Sequence, residues 1–417
     1  MSFKDNRNIL TSVASYALWN SIVAIIPFLM LPVLTRSLNG NEYGMIAVFT
    51  LVAAVISPIV GVSVAGAVSV RYFEQERFDL ASYVSSCLLI LFSSTIALTL
   101  LLILIGPFLP WPSELNTSLI LIACVVSASQ VIVQIQLVLL QSAGKPRQYG
   151  LLRFFQATID AGLTLVFVVS MQFSWEGRIG ATCLSSMATA VVCLILLKQS
   201  GMLKLRGILK YAGDAVRFGA PLVLHSLGGT LIANGDKLLI AGLLSLTDLG
   251  IYAVPAQVCM VANLLLDSVF KALHPWIIEN CLIPERRLEV VRVIYTTMLM
   301  LFIGCIIIFV ILWSIFPYYV GDEFVTGREL LLPLLIASVI RCAYYSTAIF
   351  INVAGKNEHL AFNTLVSGLI SVLLSIILIS EYGVVGAAMG VVVGELISFI
   401  LNFRSSKILY PMPWGLK

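Results

Sequence analysis

Charge is the scarcest resource in this sequence. Asp, Glu, Lys and Arg make up 11% of its 417 residues, against roughly 25% in soluble domains. Catalytic punctuation is missing as well: no Walker loop, no HExxH and no Ser/His/Asp order occurs. No CxxC pair links the eight cysteines, Cys87, Cys124, Cys183, Cys193, Cys259, Cys281, Cys305 and Cys342, and no His-rich tract accompanies them. Seven lie in apolar runs, so they read as small core residues, not as disulfides or metal ligands. No metal site and no organic cofactor is expected. No hydrophilic stretch is long enough for a soluble domain. The net charge of +4 does not argue for nucleic acid, because the basic residues gather in the loops of one side. A cleavable signal peptide is not expected either: the first apolar run, Ile9 to Leu38, exceeds an h-region of ~7–15 residues.

What is present is apolar length. The hydrophobic fraction is 59% and the mean hydropathy is +1.02. The runs are continuous and reach the ~20 residues of a spanning helix, whereas a β-barrel would show short alternating segments. The sequence therefore predicts an all-α integral membrane protein with twelve spans, near 11–36, 44–69, 82–108, 116–142, 149–171, 177–199, 217–243, 249–274, 292–316, 329–352, 360–380 and 383–404. With the N-terminus in the cytoplasm, 20 of the 25 Lys and Arg residues fall on that side, which places both termini there. Only Arg36, Arg178 and Arg328 fall opposite, and Lys237 and Arg341 lie within spans.

The chain also repeats itself. LNGNEYGMIAV at 38–48 returns 206 positions later as LSLTDLGIYAV at 244–254. SAGKPRQYG at 142–150 pairs with VAGKNEHLA at 353–361, and WEGRIGAT at 175–182 with EYGVVGAA at 381–388. Three signatures in the same order, at nearly one offset, imply two six-helix halves, residues 1–199 and 217–417, joined by a basic cytoplasmic linker at 200–216. Six spans per half give both halves the same orientation, hence a parallel repeat about an axis normal to the membrane.

Transporters with two halves place substrate between them, so polar residues within spans become the candidates. Ser127, Gln130, Gln134 and Gln141 recur along span four, and Ser338, Arg341, Tyr345 and Asn352 are their counterparts in span ten. The bland alternative is that such groups only tie helices together. A mid-span arginine, however, needs a partner or a wet cavity. His225, Asp236 and Lys237 add charge to span seven. Arg341, Lys237 and His225, with Gln130, Gln134 and Tyr345, are thus the candidate substrate contacts for an anion, because a guanidinium fork suits phosphate. The rival reading pairs Asp236 with Arg341 or Lys237 for structure alone. Asp160, Asp236, Asp267 and Glu395 are the mid-span acids that would bind a coupling H+ or Na+. Asp267 has a plain explanation in Lys271, four residues on. Asp160 and Glu395 have no such neighbour along their own helices. Gly383, Gly386, Gly390 and Gly394 form a stripe that reads as close helix packing. Prolines at 27, 32, 58, 221 and 255 sit where helices bend.

The PVLTRSLNGNEYG turn after span one, RFGAPL leading to NGDKLLI, and LTDLGIYAV resemble the Wzx-type polysaccharide flippases, within the superfamily that includes MATE multidrug exporters and lipid II flippases. The resemblance covers nearly the whole chain. It implies a MATE-like fold and a substrate of undecaprenyl-pyrophosphate-linked oligosaccharide, moved across a bacterial inner membrane by ion-driven alternating access. Membrane lipids and other polysaccharide-assembly proteins are the partners it implies. The pair Asp236–Lys237 matches an acidic–basic pair common in the family's seventh span; Arg341, Asp160 and Glu395 carry no such match. A MATE-like exporter of cationic drugs shares the fold but favours an acid-dominated cavity. A membrane polysaccharide polymerase, the enzyme alternative, would carry a large periplasmic loop absent from this chain.

Overall fold

A computed structural model of the chain describes residues 3–105, 116–204 and 209–415. Among the described residues every regular element is helical. Among these described residues, eleven helices are long and apolar enough to cross a membrane. The last of them, Asn357–Leu409, is two spans in one: Gly383 breaks its backbone at φ 57°, ψ −133°. Among the described residues twelve spans result, close to the predicted positions except for the second. Its helix ends at Val60, just before Val62 and Ser63 take positive φ, and a separate short helix, Val64–Arg71, covers the rest of the predicted 44–69. Water is absent where these segments run, so each backbone amide must bond within its own helix.

The helices are α1 (Phe3–Ser37), α2 (Gly40–Val60), α3 (Val64–Arg71), α4 (Leu80–Ile105), α5 (Thr117–Ser142) and α6 (Pro146–Thr164). They continue with α7 (Ser174–Gln199), α8 (Ala212–Leu243), α9 (Leu246–Cys281), α10 (Arg287–Tyr319), α11 (Leu331–Val353) and α12 (Asn357–Leu409). A π-helical turn, Leu165–Ser170, ends α6. Two compact units emerge: residues 1–38 with 45–233, and residues 39–44 with 234–417. The boundary falls inside α2 and α8, so the first turn of α2 belongs to the second unit.

Burial follows the duplication. α2, α5, α9 and α11, the second and fourth spans of each half, are the most buried, whereas α4 and α10 keep most of their apolar surface outward. Outward Leu, Ile and Val are what a lipid-facing helix requires.

The repeated signatures have physical causes. At the start of α2, Asn39 and Glu42 cap each other's amides: Asn39 N–H donates to Glu42 Oε2 and Glu42 N–H to Asn39 Oδ1, both at 2.9 Å. At the start of α9, Ser245 and Asp248 form the same reciprocal capping box. Two residues beyond each acid stands a glycine, and both glycines lie in the second unit. A Cβ on Gly44 would collide with the Leu246 carbonyl oxygen, and one on Gly250 with the Gly40 carbonyl oxygen. Because Gly44 corresponds to Gly250 and Gly40 to Leu246, each signature packs on its own copy with nearly two-fold reciprocity. Gly40 N–H adds a 2.9 Å bond to Glu323, and the Tyr43 hydroxyl one to Gln257.

The AGK signatures are C-caps. Gly144 (φ 64°) and Gly355 (φ 69°) adopt the left-handed conformation. The following Lys145 and Lys356 donate back to the carbonyls of Leu140 and Ile351, the Schellman pattern that closes a helix end. The third signature diverges. Gly383 makes the break between spans eleven and twelve, whereas Gln172 (φ 56°) makes the break between five and six. In the stripe of α12, a Cβ on Gly390 or Gly394 would strike the side chains of Ser375 or Ser371, which is the close packing expected.

Each half also ends by folding back. In the first unit Arg71 forks onto Asp214 through Nη2–Oδ1 (3.0 Å) and Nε–Oδ2 (3.1 Å), and Tyr83 donates to the same carboxylate. Lys204 Nζ lies 3.1 Å from Asp79, and its amide donates to Ser85. The described parts of the segment read as a linker are therefore tied to the α3–α4 turn. In the second unit the tail is tied to the α9–α10 turn: Tyr410 donates to the Cys281 carbonyl at 2.8 Å, and Arg287 lies over the Tyr410 ring. Tyr410 and Trp414 also pack on Phe350, beside the core of Ile277, Val290, Val291 and Ile294. Seven of the eight cysteines are buried and Cys183 is half-buried.

Two outcomes follow. Gly250→Ala lowers the melting temperature of the detergent-purified protein, since overpacking costs roughly 1–3 kcal/mol. Gly228→Ala, with open space around it, leaves that temperature unchanged or slightly raised. The Asp79 carboxyl is held below its ordinary range by the Ser82 hydroxyl and then by Lys204. Its depressed value means that its contribution is complete above the ordinary carboxylate range and is lost as pH falls through the lowered value. Asp79→Asn removes that part of the acid sensitivity in a melting-temperature series from neutral pH downward.

Candidate functional site

The polar faces of spans four and ten begin with how α5 and α11 are packed. Asn116 caps α5 by accepting from Leu119 N–H at 3.0 Å, and the helix is then enclosed along most of its length. Ser127 is fully buried and donates to the Ala53 carbonyl at 3.1 Å, so it is a packing group. Gln130, Gln134 and Gln141 are exposed. The face that looked continuous by helical spacing is thus divided, because α2 covers it at one level and leaves it open at others. α11 repeats the division. Ser338 is buried and bonded to the Leu334 carbonyl of its own helix. Arg341 and Tyr345 are half-buried, and Asn352 is exposed. Tyr345 leans on Phe270, with ring centroids 6.4 Å apart.

Charged candidates find partners on neighbouring helices. Arg341 Nε donates to Glu395 Oε1 at 2.7 Å, joining a candidate substrate contact to a candidate coupling acid. Asp160 meets Arg178, whose Nη1 lies 2.9 Å from either carboxylate oxygen. Hydroxyls of Thr164 and Thr182 accept from the same guanidinium, and Ser185 donates to Asp160. This α6–α7 pair is thus wrapped in hydrogen bonds from both helices. Spacing along one helix finds neither pair, because the partners stand 18 and 54 residues apart on different helices. Arg178, read as lying beyond the membrane, reaches back along α7 to Asp160.

Asp236 accepts a short hydrogen bond from Tyr252, a side chain buried completely in α9. Lys237 donates to Asn234 at 3.2 Å. The Asp236 carboxylate is therefore held by a phenol, and Lys237 is turned to a neutral neighbour on its own helix. His225 is exposed and lies in the first unit's part of α8, whereas Asp236 and Lys237 lie in the second's. The side chains of Asp267 and Lys271 lie outside the described residues. The cluster of Asn363, Asn402 and Ser405 went unremarked in the sequence: Asn363 Nδ2 donates to Asn402 Oδ1 at 3.2 Å and to Ser405 Oγ at 2.9 Å. A buried amide pair with neutral neighbours has the character of helix-binding glue. Its only sequence signal is two asparagines within apolar runs.

A family model described as "Polysaccharide biosynthesis protein" matches residues 9–281. A protein of the Lsg locus of Haemophilus influenzae is 25% identical over 358 residues, covering 84% of this chain and 86% of that protein. Among solved structures, the inward-facing form of a multidrug resistance MATE transporter of the MOP superfamily superposes with a TM-score of 0.62. It covers 94% of both chains at 16% identity. A Vibrio cholerae MATE transporter superposes with a TM-score of 0.57 over the whole of this chain and 98% of its own, at 14% identity. The fold is the twelve-span MATE fold.

The Asp160–Arg178 knot yields a test. Breaking a partly buried pair such as this one strands a charge at some fraction of the ~3–5 kcal/mol of a fully buried pair, whereas replacing both partners by apolar groups is often neutral. Asp160→Leu lowers the melting temperature of the purified protein, and adding Arg178→Met recovers most of the loss. A double variant as unstable as the single would remove the structural role assigned to the pair.

Proposed function

The chain belongs to the polysaccharide biosynthesis protein family, and from that premise we propose that it is a flippase for lipid-linked oligosaccharide. Its family and fold are those of membrane transporters or flippases. The proposed substrate is an undecaprenyl-pyrophosphate-linked repeat unit. It is carried from the cytoplasmic to the periplasmic leaflet of a bacterial inner membrane by alternating access coupled to H+ or Na+, with both termini cytoplasmic.

One observation carries this reading beyond the family: Arg341, a fixed cation in a span, half-buried on the polar side of α11. A permanent charge there is costly and is retained where something anionic uses it. A guanidinium can face a diphosphate with two parallel hydrogen bonds. Gln130, Gln134 and Asn352, exposed on α5 and α11, are the kind of neutral donors and acceptors that sugar hydroxyls require. Lys237 and His225 are the further cations of this proposal.

The exporter reading has one observation of its own, the likeness to a multidrug resistance transporter. That likeness, at 16% identity, shows the fold alone.

Complementation separates the two. Expressed in a strain lacking its own O-unit flippase, the protein restores surface polysaccharide, and Arg341→Ala returns the cells to the uncomplemented level although the variant reaches the membrane. Resistance to cationic dyes without restored polysaccharide would transfer the assignment to the exporter.

A further inference from the structure

We propose that Glu395 is the internal counter-anion of Arg341: it occupies the guanidinium while the carrier is empty and yields it to the substrate's diphosphate. This rests on the flippase reading and adds to it a residue that sets how tightly the anion is held.

The argument starts from what the duplicated half does without. Arg341 corresponds to Gln130 in the first half, and Glu395 to Thr189. Thr189 is buried and donates to the Ser185 carbonyl within α7. Gln130 is exposed and Thr189 bonds within its own helix, so α5 and α7 place neutral groups where α11 and α12 carry an ion pair. Packing of this hairpin does not require charge, and a desolvated pair is often no more stable than the apolar groups that would replace it. A cation and an anion that stand at these places in one half only, in a span, call for a use besides cohesion.

The manner of holding differs from the structural pair in the same protein. Asp160 and Arg178 are wrapped by the hydroxyls of Thr164, Thr182 and Ser185. Among the described residues Glu395 takes its hydrogen bond from Arg341 alone, at a single point, Nε to Oε1. Among the described residues, Tyr344 of α11 also feels its charge. The two side chains are 35% and 20% exposed, much as Arg178 and Asp160 are at 22% and 25%, so the two pairs differ in their hydrogen bonds and not in their exposure. One-point contact is weaker than the two-pronged grip a guanidinium makes on a phosphate group. A diphosphate, with several oxygens and more charge, can displace such a carboxylate.

The exchange also fits the needs of a carrier that must return empty. An uncompensated guanidinium in a dehydrated span is expensive, and removing its counter-charge leaves that cost exposed. With Glu395 in place the empty protein carries a neutralised pair, and the loaded protein carries the substrate's charge instead. Glu395 thereby trades some substrate affinity for the ability to reset.

The test uses the full chain in lipid nanodiscs, with farnesyl diphosphate as the probe and farnesol as the neutral control. Glu395→Gln binds the diphosphate more tightly than wild type, on the order of tenfold, while farnesol binding is unchanged. The same variant flips substrate more slowly in the complementation strain. Glu395→Asp, which keeps the charge but shortens its reach, tightens binding less. It supplies the readout should Glu395→Gln fail to yield monodisperse protein. Adding Arg341→Ala to Glu395→Gln abolishes the gain. Unchanged or weaker diphosphate binding in both Glu395 variants, with Arg341→Ala still weakening it, overturns this inference and leaves the flippase reading standing. Diphosphate binding that is indifferent to Arg341→Ala would instead remove the assignment of Arg341 to the substrate, and this inference with it.

Discussion

An apolar slab without water imposes two demands on any chain that crosses it, and both are visible throughout this protein. Backbone amides must be satisfied inside the segment, so the spans are helices and their ends carry caps. Charges must be answered by a partner or a polar environment, because hydration is not on offer. Arg341 meets Glu395, Arg178 meets Asp160, and Asp236 meets the Tyr252 hydroxyl. Lys237 turns to Asn234 on its own helix.

The same demands explain why particular fragments of the duplicated chain stayed alike while most of it drifted. The acid of the first signature closes a reciprocal capping box, and the glycine two residues later gives a neighbouring carbonyl room to approach. The glycine of AGK supplies the left-handed residue that ends a helix. These positions tolerate few substitutes, since a Cβ collides or a helix end is left unsatisfied. Positions facing lipid need only be apolar, and there the halves no longer match. Where strict geometry was not needed, the halves differ in chemistry: Gln130 and Thr189 on one side, Arg341 and Glu395 on the other.

Pairing changes what the candidate residues mean. Asp160 among hydroxyls and a guanidinium is a braced structural knot, whereas Glu395, bound at one point, is poised for exchange. Both are mid-span acids joined to arginines, and both looked alike along the chain. The difference lies in how many neighbours share the load. That number belongs to the packing of α6 on α7 and of α12 on α11.

Sequence by itself determined the membrane class, the twelve spans, the two six-helix halves and the signatures that mark them. Each of these depends on local quantities: apolar length, helix-end chemistry and the spacing of recurring residues. The polar strip of span four was legible only in part, since Gln130 and Gln134 lie open while Ser127, on the same helical face, is covered by α2. Tertiary structure alone decided which charges meet, because Arg341 and Glu395 lie 54 residues apart on helices whose mutual rotation no single periodicity encodes. It also decided that the first turn of α2 belongs with the second unit and that the segment after residue 200 is tied back to the α3–α4 turn. Those contacts arise from close approach between distant segments, which depends on glycine clearance and side-chain reach and not on the pattern of either segment.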